Sequence, residues 1–163
     1  MKIKGIQDVD FVNYKKISMF IAFPYCTFKC DKENGCNLCQ NSELVHQPTH
    51  DLPIPHILKL YKNNPLTKAI VCGGLEPFDS AEELLQLVTI AREDCEIKDD
   101  IVIYTGYTEE ELNERAIFQT ITDYDNIVIK FGRFRPNEEK HFDEELGVWL
   151  ASNNQYAVRY NNA

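Results

Sequence analysis

Four of the six cysteines fall in one short segment with the pattern Cys26-x3-Cys30-x5-Cys36-x2-Cys39. Thiolates are soft donors, so four of them close together in sequence hold either a tetrahedral zinc ion or an iron–sulfur cluster, and spacing alone leaves both open. In a reducing compartment such a group points to a metal or cluster before it points to disulfides. The other two cysteines differ. Cys72 closes an apolar run and is expected to be a small core residue, and Cys95 follows Glu93-Asp94 at a helix end and is assigned no role. His46, His50 and His56 lie among prolines just beyond the cysteine segment, where a solvated loop is expected.

Two further segments carry chemistry. Gly73-Gly74-Leu75-Glu76-Pro77 combines glycines, which let backbone approach a ligand without side-chain obstruction, with a carboxylate suited to an ammonium group. Tyr104-Thr105-Gly106-Tyr107 is the second. Each of the three segments directly follows an apolar run. In open parallel sheets and in barrels, sites form where loops leave the carboxyl ends of the strands, so the three are expected to converge on one cavity.

The elements that would position them alternate along the chain. Apolar runs at 18–23, 68–72, 101–104 and 126–131 read as strands, the second halted by Gly73-Gly74. A helix opened by proline is expected over 56–62, with Ile57, Leu60 and Tyr61 on one face, and Asn63-Asn64-Pro65 stops it. Asp79 or Ser80 would cap a second helix that turns Leu84, Leu85, Leu87, Val88 and Ala91 inward, with Glu82 and Glu83 well placed in its first turn. Thr108 with Glu111 forms a capping-box pattern, opening a third helix with Leu112, Ala116 and Ile117 inward. The acidic run Glu109-Glu110-Glu111 is explained by that helix start. A charged stretch over 133–145 then leads to a last short strand near 156–158, and Trp149 is expected in the core or at an interface.

Strands alternating with helices imply an α/β fold with a mostly parallel sheet. The chain of 163 residues suits one domain over 1–163 with a full core. A closed eightfold barrel takes about 250 residues, so only part of one can be built here, with an open wall. Hydrophobic residues at 44% and charged residues at 26% are globular values. No apolar run approaches the roughly 20 residues that span a bilayer. The polar, mixed-charge start MKIKGIQDVDFVNYKK offers neither a secretory nor a transit signal, so a cytoplasmic location is expected and no membrane partner. A formal net charge of -9 repels phosphate backbones, which argues against nucleic acid as a direct partner.

The chain resembles the radical S-adenosylmethionine superfamily, and within it the small activating proteins of anaerobic ribonucleotide reductase. The resemblance rests on Cys39-Gln40-Asn41 at the end of the cysteine loop, on Gly73-Gly74-Leu75-Glu76-Pro77, which is similar to the family's Gly-Gly-Glu-Pro with Leu75 inserted, on Tyr104 to Leu112, and on Leu150-Ala151-Ser152-Asn153-Asn154-Gln155. It implies an incomplete (β/α) barrel with helices on the outer face and a [4Fe-4S] cluster loop over 26–41. Three cysteines would hold the cluster and leave one iron for S-adenosylmethionine. The family's Cys-x3-Cys-x2-Cys spacing is not met, so either Cys26, Cys30 and Cys39 or Cys30, Cys36 and Cys39 are candidate ligands. Cys26-Thr27-Phe28-Lys29-Cys30 resembles the family's opening half, which favours the first set and leaves Cys36 as a bystander. The resemblance further implies cofactor contacts from Leu38, Asn41, Gly73, Gly74, Glu76 and Thr105. Its implied activity is that of an oxidoreductase: reductive cleavage of S-adenosylmethionine to place a radical on a glycine of the reductase large subunit. The electron would come from a donor such as flavodoxin or ferredoxin. Lys130-Phe131-Gly132-Arg133-Phe134 departs from the acidic residue and glycine that activases tend to carry there.

Overall fold

Runs of Ile and Val build the centre of the structure, a computed structural model that describes residues 1–161. Strands β1 (Lys2–Ile3), β2 (Gly5–Asp10) and β3 (Ser18–Phe23) come first. The cysteine segment follows with the short helix α1 (Lys29–Asn34), and then β4 (His50–Asp51), α2 (Ile54–Asn63) and β5 (Ala69–Gly74). Helix α3 (Ala81–Thr89) runs on through a π turn over Ile90–Asp94 to β6 (Asp100–Tyr104). Helices α4 (Glu109–Asn113) and α5 (Ala116–Thr122) precede β7 (Ile127–Phe131), and β8 (His141–Asp143), β9 (Val148–Leu150) and β10 (Tyr156–Tyr160) complete the order.

Six strands form the main sheet in the order β10-β7-β6-β5-β3-β2. Strands β3, β5, β6 and β7 are parallel, and β2 and β10 flank them antiparallel. The two edges β2 and β10 stay apart, so the sheet does not close into a barrel. The fold is therefore mixed α/β with a mostly parallel centre.

Period-two alternation divides the central strands into two faces of different bulk. Ile70, Cys72, Ile101, Ile103, Ile127 and Ile129 face one way and pack with Ile57 and Leu58 of α2, Leu84, Leu87 and Val88 of α3, and Phe118 and Ile121 of α5. The smaller Ala69, Val71, Val102 and Val128 face the other way, under Tyr14, Leu146 and Leu150. Central strands buried on both faces read as continuous apolar runs, which is why these were visible in the sequence. Because the crossover helices α2, α3, α4 and α5 pack on one face, the opposite face is covered, among the described residues, by loops and the β8–β9 hairpin. That face opens into a cavity at the carboxyl ends of the strands.

Local expectations are refined at several points. The capping box is formed, with Thr108 Oγ1 accepting from Glu111 N at 3.3 Å and Glu111 Oε2 accepting from Thr108 N at 2.9 Å. The helix it opens breaks at Asn113, so Ala116 is exposed and Phe118 and Ile121 are the buried residues of α5. In α2 Leu58 is buried in place of Leu60, which is 39% exposed, and Leu85 of α3 is only partly covered. Gly73 and Gly74 remain in β5, because Ala22↔Gly73 and Phe23↔Gly74 still pair with β3. Neither proposed cap of α3 is made: Ser80 makes no side-chain cap bond, and Asp79 bonds to other elements. Trp149 is 69% exposed and meets Phe142 across the hairpin edge-on at 6.0 Å, so it is not a core residue. Among the described residues, no helix is long and apolar enough to cross a membrane.

Candidate functional site

The cysteine segment leaves β3 at Phe23-Pro24 and is bound at once to the next strand end. Glu76 N donates to Tyr25 O at 2.7 Å, and Thr27 N donates to Asp79 Oδ2 at 2.7 Å. Phe28 adopts a left-handed conformation, φ 52°, and its N–H donates to Cys26 Sγ at 3.2 Å as the chain turns into α1. Asp31 Oδ1 then accepts from both Leu38 N at 2.8 Å and Cys39 N at 2.9 Å. Asn41 Nδ2 donates to Gly74 O at 2.9 Å, which joins the far end of the segment to β5. Any side chain at Gly74, φ +86°, would meet Ala22 Cα at 3.0 Å and carry backbone strain as well.

These contacts shape a cavity of about 360 Å³ lined by Cys26, Cys30, Cys39, Asn41, Gly74, Glu76, Thr105 and Lys130, among others. Cys36 lies outside it, exposed, with Sγ donating to Asn34 O at 3.6 Å. Leu38 and Gly73 do not line it either. Leu38 is held through its backbone, and a Cβ on Gly73 would meet the Phe20 ring at 3.0 Å. Cys72 is fully buried among apolar neighbours, which pushes its thiol up to about 12, and Cys95 is half-buried at the end of the π turn. His46, His50 and His56 are all exposed.

Glu76 ties two strand ends together. Its Oε1 accepts from Phe78 N at 3.0 Å and Thr105 Oγ1 at 2.8 Å, and its Oε2 accepts from Gly106 N at 2.8 Å. A carboxylate offers about four acceptor positions, so most of this one is spent within the protein. Burial pushes Glu76 up to about 7, against the lowering effect of those bonds. Lys130 is buried too, and its Nζ donates to Gly132 O at 2.7 Å. Burial pulls its ammonium down to about 8, against the attraction of Glu76 and Cys30. Burial likewise pushes the Cys26 thiol up to about 12 and raises Cys30, with Cys39 next in its effect on Cys30. A bound metal cation reverses that cost, since it holds thiolates outright.

At the mouth, three cations surround one ring. Lys29 Nζ lies 4.4 Å, the Arg115 guanidinium 4.3 Å and the Arg133 guanidinium 5.8 Å from the centre of Tyr107, whose hydroxyl donates to Asp79 Oδ1 at 2.6 Å. Arg133 is in turn held by Glu111 through Nη2 at 2.7 and 2.9 Å. Val12 and Trp149 border the opening and are strongly exposed. Sequence reasoning passed over Asp31, because an isolated charge in a first turn carries no spacing signal, and it placed Asp79 only as a helix cap. Lys130 and Arg133 were visible only as a departure from the activase pattern.

Fold and site together define an α/β protein with a thiol-lined cavity at the carboxyl ends of a parallel sheet. Over residues 15–158 the chain matches the family model described as the 4Fe-4S single cluster domain, and it belongs to that family. No curated protein and no solved structure matches it. A 4Fe-4S cluster is thus the group this family carries, and the donor set fits it: three soft thiols border one cavity, each free to bind its own iron. A four-thiol zinc site would need all four sulfurs about 2.3 Å from one ion. Among the described residues, no three His, Cys, Asp or Glu side chains are grouped to hold a single ion.

Proposed function

We propose that the chain is a radical S-adenosylmethionine enzyme that activates a glycyl-radical protein, with the large subunit of anaerobic ribonucleotide reductase as its partner. The observation that carries this reading is the meeting of Cys26, Cys30 and Cys39 with Gly74, Glu76 and Thr105 around one cavity in a chain of the 4Fe-4S family. Cys26, Cys30 and Cys39 would hold the cluster, which supplies a low-potential electron and one iron free for S-adenosylmethionine. Gly74 lines the cavity with backbone alone, and Asn41 fixes its carbonyl. Glu76 locks the ends of β5 and β6 to each other, so the walls keep their spacing. The open sheet is read as the unfinished wall of a barrel, through which a polypeptide enters. Exposed Val12 and Trp149 offer that segment apolar contact at the entrance. The electron is assigned to a donor of the flavodoxin or ferredoxin type, and the location to the cytoplasm.

The anaerobically reconstituted protein, given a strong reductant and S-adenosylmethionine, should release 5'-deoxyadenosine and methionine. No 5'-deoxyadenosine from a preparation shown to contain a four-iron cluster would sink the reading. Cys26→Ala, Cys30→Ala and Cys39→Ala should each abolish the product, and Cys36→Ala should spare it. The reverse pattern would reassign the ligands.

A further inference from the structure

We infer that Asp31 is the positioning residue of the cysteine segment: its carboxylate folds residues 32–37 out as an excursion and returns Cys39 to the side of Cys30. The inference rests on the ligand reading above. Eight residues separate Cys30 from Cys39. Nine extended steps would span about 30 Å, so something must close this loop before both thiols can border one cavity. Packing does not do it, since α1 buries no residue and positions 32–37 are all exposed. The tie is a single oxygen, Asp31 Oδ1, which takes the N–H groups of Leu38 and of Cys39 itself at 2.8 and 2.9 Å. Asn34 Nδ2 donates to Cys30 O at 2.7 Å, and Gly35, φ +67°, ends the helix, so the excursion turns back on itself. Cys36 rides on the excursion. The same contacts therefore account for its exclusion from the cavity and for a spacing longer than a compact ligand loop needs.

Two substitutions separate this role from general stability. Asp31→Ala removes the acceptor. Asp31→Asn keeps an oxygen that can accept both N–H groups and removes the charge together with Oδ2, which makes no hydrogen bond among the described residues. Amide hydrogen exchange of the cluster-free protein should show Leu38 and Cys39 opening at least about tenfold faster in Asp31→Ala, which loses both hydrogen bonds at once. Asp31→Asn, whose neutral amide oxygen still accepts both bonds but more weakly, should lie between wild type and Asp31→Ala. Iron loss from the reconstituted protein to a chelator should follow the same order, with the thermal midpoint unchanged in both variants because α1 contributes nothing to the core. Unchanged exchange in Asp31→Ala, faster exchange without faster iron loss, or Asp31→Asn as labile as Asp31→Ala would each overturn the inference. If wild type takes up no four-iron cluster, the ligand reading fails instead, and the exchange experiment still decides whether Asp31 closes the loop.

Discussion

Asp100, at the start of β6, and Glu76, just beyond the end of β5, are buried carboxylates of 3% and 7% exposure, each with three hydrogen-bond donors. Asp100 accepts from Tyr14 Oη at 2.8 Å, Lys16 Nζ at 2.5 Å and Arg159 Nη1 at 2.7 Å. Burial raises its pKa, but the bonds from Arg159, Lys16 and Tyr14 outweigh burial and hold it at about 2. Glu76 receives only neutral donors, so burial wins and the group sits at about 7. The donor count is equal, and the charge of the donors decides. Arg159 also bonds Glu145 at 2.7 Å, which makes the amino-terminal end of the sheet a closed clasp across β6, β10 and the hairpin. The carboxyl-terminal end instead keeps Glu76 and Lys130 poorly compensated beside an open cavity. Perturbed groups of that kind gather where a protein binds or reacts rather than where it is held together.

The contrast is broken most directly by matched substitutions. Asp100→Asn leaves Arg159 and Lys16 facing an amide in a buried site, and should cost about 3 kcal/mol in urea denaturation. Glu76→Gln changes a carboxyl already near half-protonation at neutral pH, and should cost about 1 kcal/mol or less at pH 7. Equal losses would mean that both ends of the sheet are clasps.

The pH dependence should carry opposite signs, with a change of about 2 kcal/mol in each window. Asp100 is held below its ordinary value of 3.8, so its contribution is complete above about pH 4 and is lost as pH falls through about 2. Glu76 lies above its ordinary 4.5, so between 4.5 and about 7 the unfolded chain releases its proton first, and stability declines as pH rises. The urea midpoint should therefore climb from pH 2 to 4 and fall from 4.5 to 7. In Glu76→Gln the falling limb should disappear while the rising limb stays, and a falling limb that survives would assign it to other groups.

The sequence revealed the clasp and the cavity unequally. Strands β3, β5, β6 and β7 were legible because each holds a short run of apolar residues, and the Thr108 capping box was legible because its two partners lie three residues apart. The clasp was invisible, since Tyr14 and Lys16 near one end of the chain and Arg159 near the other meet Asp100 only once the sheet has formed. Strands β2, β8 and β9 escaped notice for a related reason: GIQDVD, HFD and VWL are short or polar, and pairing rather than composition makes them strands. At the cavity, three strand ends could be foreseen as one site from topology. Which cysteines border it depends on a carboxylate that folds the loop back, and no spacing rule contains that information.

The smallest expected effect is also the sharpest comparison, because it concerns two lysines. Lys16 is 45% exposed and serves the clasp, so Lys16→Met should lose about 0.5–1 kcal/mol, the worth of a partly screened ion pair. Lys130 is buried, its ammonium is pulled down to about 8, and its acceptor among the described residues, Gly132 O, also receives Gln155 Nε2 at 3.2 Å. Methionine would fill the same space and leave that carbonyl bonded. Lys130→Met should therefore be neutral or raise stability by up to about 1 kcal/mol, as replacement of a poorly paired buried charge by an apolar side chain often does. A loss exceeding that of Lys16→Met would make Lys130 a second clasp. A gain would mean that the cation is retained at a cost to the fold, which is the pattern of a residue kept for what enters the cavity.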